Sequence, residues 1–297
     1  ILLKKARIDT RHLNCQMLIL TQIKEGYLKN VIAFRCVSLI AESAASVPWR
    51  VYNGDRLIES GHPLTKLAAA PNPRDDLSAI VEAFVSYYLI AGNAYIERTT
   101  DMRGNPLEMF TLRPDRMKVA LDTKGAVSFY EHEANGMTHR FPVDPITGKS
   151  NIYHMRHFHP LNDVYGMASM EAAAYSVDQH NFAGEHNAAL LQNSATPASI
   201  LVFKEKIETA MLDRAEKKLA EKYSGASNTG KTIVLGGDMD FKTVGMSNSE
   251  LGFNESKLAL AREICAAFGV PHELVVSGES TYNNKAEARL FLWEEKV

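Results

Sequence analysis

The chain has 297 residues, 45% of them hydrophobic, which is enough to bury one large core or two smaller ones. A net charge of −2 excludes a strong overall attraction to nucleic acid or to an anionic membrane surface. Three cysteines, Cys15, Cys36 and Cys265, stand far apart in sequence, which excludes a disulfide framework or a zinc-ligand spacing and predicts a reducing compartment.

Residues 1–27 carry no clear pattern. A helix is predicted over residues 28–45, with Val31, Phe34, Leu39, Ala41 and Ala45 on or near one face and Pro48 ending it. This stretch is the most apolar of the chain, but Arg35 and Glu42 interrupt it, so it does not read as a bilayer span. No signal peptide is visible. Asn53-Gly54, set between two short alternating runs, predicts a hairpin. Prolines at 63, 71 and 73 bound a short helix over 64–69. Asp76 or Ser78 then opens a second clear helix, with Leu77, Ile80, Val81, Phe84, Tyr88 and Leu89 on its apolar face and Gly92 at its end. From Asn93 the period changes to two. Residues 94–98, 107–112, 116–121, 127–132, 138–141 and 151–157 are predicted strands of an antiparallel meander, covered on one face by the two preceding helices.

Residues 166–193 predict a long helix capped by Ser169. Its stripe, Met170, Ala174, Val177, Asn181, Gly184, Ala188 and Leu191, recurs at steps of three and four and is made mostly of small residues. Such a face admits another helix backbone at close range, either inside one domain or between copies of the chain in a ring. After a short apolar run at 200–203, an amphipathic helix carries mixed charges on its outer face. Strands are predicted at 232–235 and 240–244, and a helix over 249–268 ends at Gly269. A polar loop spans 276–284, and Lys285 begins a last helix. The chain starts at Ile1 and stops inside that helical pattern, so it is expected to be part of a longer gene product.

Gly225-Ala-Ser-Asn-Thr-Gly230-Lys231-Thr232 matches a phosphate-binding loop. That mechanism requires a strand before the loop and a helix after it. Here a charged helix precedes and a strand follows, so the motif reads as a turn. His154, His157 and His159 resemble a metal cluster, but in a strand His154 faces away from the other two, and no Cys or acidic partner stands at a usual spacing. Lys204, Lys206, Arg214, Lys217 and Lys218 form a basic cluster interleaved with acids, which suits a solvated or protein-docking face. No catalytic constellation, cofactor motif or metal site is expected. Two enzymatic alternatives stay open: a nucleotide hydrolase using residues 225–232, and a metal-dependent nuclease using the histidine strand.

Several stretches together resemble the portal proteins of tailed bacteriophages, of the long-tailed-phage type. They are Val37-Ser-Leu-Ile-Ala-Glu-Ser-Ala-Ala-Ser-Val-Pro-Trp-Arg-Val-Tyr, His62-Pro-Leu, Pro71-Asn-Pro, Gly92-Asn-Ala-Tyr-Ile-Glu-Arg, Leu112-Arg-Pro-Asp-Arg-Met-Lys-Val, Tyr165-Gly-Met-Ala-Ser-Met-Glu-Ala-Ala and Ala266-Ala-Phe-Gly-Val-Pro-His-Glu-Leu-Val. They run in order over residues 30–297. Met167-Ala-Ser-Met departs from the family's more usual Ser-Pro-Leu wording.

The resemblance implies an α+β, portal-like fold without enzymatic activity. Its parts would be an unassigned segment 1–29, a wing 30–165, a stem helix 166–194, a small α/β clip 195–245, a second stem helix 246–269, a tunnel-loop candidate 270–284, and a helix 285–297 leading to a crown the chain lacks. It also implies a homo-oligomeric ring, typically a dodecamer, at one vertex of a capsid. The implied partners are the terminase large subunit, the major capsid protein, the head-tail connector protein and double-stranded DNA in transit, with no membrane partner. The implied location is the virion, after assembly in the host cytoplasm. By the same resemblance Asn283, Asn284 and Lys285 are DNA-channel candidates. Lys204, Lys206, Arg214, Lys217 and Lys218 become motor- and connector-docking candidates. A near-neutral chain suits a channel through which DNA slides, since each strong phosphate contact adds to the grip.

Overall fold

A computed structural model describes residues 13–192, 199–203, 214, 217, 239–243, 253–276 and 282–296. The chain divides into two compact units, one of residues 1–178 and 260–297, the other of residues 179–259.

The first unit opens with α1 (Leu13–Thr21), a π-helical turn (Gln22–Tyr27) and α2 (Val31–Ala45). Asn30 starts α2 because its backbone is extended and its side-chain oxygen accepts from the amides of Ile32 and Ala33, each at 3.1 Å. Those donors have no partner within a helix's first turn. The helix predicted from residue 28 therefore begins at Val31. Its buried face is Ala33, Cys36, Val37, Ile40 and Ala41, whereas Val31 and Phe34, expected inside, are exposed. The buried stripe recurs at steps of three and four from Ala33, and Val31 and Phe34 fall on the other side of the helix although they are apolar.

The hairpin forms as predicted, with β1 (Tyr52–Asn53) antiparallel to β2 (Arg56–Leu57). Next come α3 (Pro63–Ala69) and α4 (Leu77–Ala91). Asp76 caps α4 by accepting from the Ala79 amide at 2.7 Å, and Gly92 ends it at φ 68°, a conformation glycine adopts without strain. One core gathers α2, α4 and the later helices through Val37, Ile40, Leu89, Met170, Ile264 and Phe268.

All six predicted strands exist, with ends within two residues of expectation: β3 (Asn93–Thr100), β4 (Pro106–Leu112), β5 (Met117–Leu121), β6 (Val127–Ala134), β7 (Met137–Pro142) and β8 (Ile152–Arg156). The single meander does not form. The strands make two three-stranded sheets, ordered β4-β3-β8 and β5-β6-β7. The turn Pro114–Arg116 separates β4 from β5, and the loop 143–151 is long enough to carry β8 back onto β3. Tyr95, Leu112 and Ile152 from one sheet meet Met117, Val119 and Tyr130 from the other in a second core, which Tyr165 completes.

The long helix is broken at Ala173 into α5 (Ser169–Ala172) and α6 (Ala174–Gln192). Ser169 does not cap it. Ala168 holds the cap position with no side-chain bond, and burial of Ala168 and Met170 fixes where the backbone turns into the helix.

In the second unit β9 (Ser199–Phe203) runs antiparallel to β10 (Met239–Thr243). The predicted strand 232–235 lies outside the described residues. α7 (Phe253–Phe268) leads back to the first unit and ends at Gly269, φ 67°, where the Val270 amide reaches the Cys265 carbonyl at 2.9 Å. α8 (Tyr282–Glu295) closes the chain. It starts earlier than expected, so Asn283 and Asn284 stand in its first turn. The architecture is α+β.

Candidate functional site

The stretches singled out by sequence meet in space. Gly92-Asn93 and Tyr165-Gly166 form one joint between the sheets and the helices. Asn93 is 1% exposed and sits at the start of β3. Its side-chain NH₂ donates to the carbonyls of Ala91 at 2.8 Å and Gly166 at 3.3 Å. Its oxygen accepts from the Gly166 amide at 2.9 Å and from Nε2 of His154 at 3.0 Å. Because that oxygen only accepts, the His154 proton lies on Nε2. The Gly92 carbonyl accepts from the His157 amide at 2.9 Å. A Cβ on Gly166 would overlap the Gly92 carbonyl and the His157 backbone, so the close approach requires glycine. The Tyr165 hydroxyl accepts from the Val119 amide at 2.9 Å and ties the second sheet to the same joint.

The other stretches are joints too. Asn72 accepts from the amides of Arg74 and Asp75 and donates to the Met109 carbonyl at 2.8 Å, fixing the Pro71 loop on β4. Arg113 grips Asp115 through two bonds, of 3.0 and 2.8 Å, across the turn between the sheets. This fork-to-carboxylate geometry holds the turn's shape.

The three histidines do not converge. His154 stacks on Tyr95 at 4.3 Å between ring centroids and meets Tyr130 edge-on. Burial, and then the charge of Arg156, pushes its pKa down to about 4. β8 ends at Arg156, so His157 and His159 lie beyond the strand. The His157 ring packs on Tyr88 at 5.6 Å, and Nδ1 of His159 accepts from the Leu161 amide at 3.0 Å. Among the described residues no three His, Cys, Asp or Glu side chains are grouped to hold a metal ion. Also among the described residues, no helix is long and apolar enough to cross a membrane.

The remaining sequence-predicted site residues are scattered. The phosphate-loop motif 225–232 and Lys204, Lys206 and Lys218 lie outside the described residues. Arg214 and Lys217 are exposed and helical, and their spacing puts them on one face. Asn284 and Lys285 are exposed on the first turn of α8, and the Asn283 backbone shares that turn. Sequence reasoning missed the π-helical turn as part of the body. Gly26 there faces Met170 of α5 so closely that a Cβ would meet its sulfur at 2.6 Å. The signal available was Gly26 alone in an otherwise bulky run.

Together these joints tie the two sheets to the helices of the first unit. The family model described as phage portal protein matches residues 32–297, and the chain belongs to the phage portal protein family. An uncharacterized protein of Rickettsia bellii (strain RML369-C) is 36% identical over 278 residues, which is 92% of this chain and 71% of that protein. Among solved structures, a chain from the neck of the native GTA particle computed with C12 symmetry superposes with a TM-score of 0.68 at 32% identity, covering 94% of this chain and 76% of the other. A portal protein of the HK97 phage family from Corynebacterium diphtheriae superposes at 0.65 with 16% identity, covering 91% and 83%, and bears on the fold alone.

Proposed function

We propose that this chain is one subunit of a portal ring of about twelve copies at a capsid vertex, through which double-stranded DNA enters and leaves. The observation that carries this reading is the likeness to a neck subunit solved with C12 symmetry, at 32% identity over 94% of the chain. The exposed end of α6 supports it. Ala188 is exposed, and a Cβ placed on Gly184 meets nothing within 4 Å among the described residues. Small residues on an uncovered helix let a neighbouring copy approach closely.

In this reading residues 30–165 are the wing, 166–194 and 246–269 the stem, 195–245 the clip, 270–284 the tunnel loop, and 285–297 the start of a helix toward the crown. The clip docks the terminase large subunit and later the head-tail connector, through Lys204, Lys206, Arg214, Lys217 and Lys218. The wing faces the major capsid protein. The subunit assembles in the host cytoplasm, stays in the virion and catalyses no reaction. Asn283, Asn284 and Lys285 line the DNA path. Lys285 and the positive end of the α8 dipole offer positive charge to passing phosphates.

Particles carrying alanine at all three positions are expected to form with an intact ring and to hold less DNA, by roughly half or more. Unaltered DNA content per particle would contradict the channel placement.

A further inference from the structure

α2 and α7 meet inside the helical core of the first unit. There Cys36 and Cys265, 229 residues apart in sequence, hold their sulfurs 3.8 Å from each other. Neither is more than 1% exposed. Val37, Ile264, Phe268 and Met170 belong to the same core cluster. The Cys36 thiol donates to the Cys265 sulfur. That bond favours a thiolate on Cys265 and, together with burial, keeps the proton on Cys36. The two sulfurs are thus placed so that oxidation of one brings it within reach of the other.

We infer that Cys36 and Cys265 are an oxidisable dithiol that closes to a disulfide under mild hydroperoxide oxidation and ties α2 to α7. The inference stands on this core geometry and does not depend on the portal reading. The Cys265 thiolate attacks one oxygen of the peroxide, the O–O bond breaks, and Cys265 becomes a sulfenic acid as hydroxide leaves. The Cys36 sulfur then attacks the Cys265 sulfur, the S–O bond breaks, and the hydroxyl leaves as water. In sum two thiols and one hydrogen peroxide give one disulfide and two waters. The sulfurs must approach by about 1.8 Å to reach bonding distance. A peroxide molecule is small and uncharged, and local opening of the core admits it slowly.

In a reducing compartment the pair stays open. Under oxidising conditions the bond closes a loop of more than two hundred residues and restricts the unfolded chain. Burial then shields it from small thiol reductants. The pair is therefore a redox-set lock on the helical core.

The test treats the purified full chain with hydrogen peroxide until a free cysteine peptide in the same tube is fully oxidised. Peptide mapping without reduction, and thermal unfolding, follow. The expected result is a Cys36–Cys265 linked peptide, lighter by two hydrogens than the separate peptides, with the thermal midpoint raised by ~5 °C. The Cys265→Ala chain should show no such rise. If that variant does not fold, the peptide map and the thermal midpoint of the unaltered chain decide together. Recovery of both residues as free thiols, linkage of either to Cys15, or a linked peptide with an unraised midpoint would overturn the inference.

Discussion

Asn93 serves four hydrogen-bonding groups with one buried amide, and none of those groups lies on its own strand. Removing it strands the Gly166 amide, two carbonyls and the His154 proton in a site water does not reach. Asn93→Ala is expected to lower unfolding free energy by about 2–4 kcal/mol. Denaturant titration checks this, and a change below about 0.5 kcal/mol would contradict the joint. His154 gives the site a pH dependence. Its folded pKa is about 4, against 6.5 ordinarily. As pH falls the unfolded chain takes the proton first. Stability is therefore complete above about 6.5, declines between 6.5 and 4, and levels off below. Roughly 2–3 kcal/mol rests on this group. His132 and His180, also lowered by burial, add with the same sign. In His154→Phe the ring stack remains and the titration is gone, so denaturation midpoints from pH 7 to 4 should fall less steeply than in the unaltered chain. Equal slopes would contradict the assignment. The wording around Asn93 was visible in sequence, but its role was not. Its partners Gly166 and His154 lie 73 and 61 residues away, and no local pattern reports such a contact.

At the scale of elements, local chemistry was legible where it was self-contained. The Asp76 cap and the Gly92 stop bounded α4, and the two-residue period placed all six strands. What failed depended on context. α1 has no polar face to reveal a helical period. The π-helical turn adds to the residues per turn and shifts any stripe running through it. Strand pairing is not local either: β8 prefers β3 to its neighbour in sequence because the joint at Asn93 and the stack of His154 on Tyr95 reward that register. The exposed end of α6 gives an element-scale prediction. Gly184→Leu improves helix propensity by about 1 kcal/mol, and its Cβ meets nothing within 4 Å among the described residues. The variant chain should be at least as stable as the unaltered one by thermal unfolding, yet its rings should fail to form. Normal rings would show that this face is not shared between copies.

For the whole molecule, the two units of residues 1–178 with 260–297 and of residues 179–259 mean that the chain leaves its main body along α6 and returns along α7. Sequence reasoning reached the family through many weak stretches in a fixed order, and the family match over 32–297 bears this out. It could not see that those stretches are the joints of one scaffold, because each joint closes only when remote segments meet. A portal subunit is a scaffold repeated around an axis. The most direct measurement is the assembly state of the full chain, by negative-stain imaging together with native mass. A closed ring of about twelve subunits around a central hole is the predicted result. A chain that stays monomeric at high concentration and in the presence of the proposed capsid and terminase partners would contradict it.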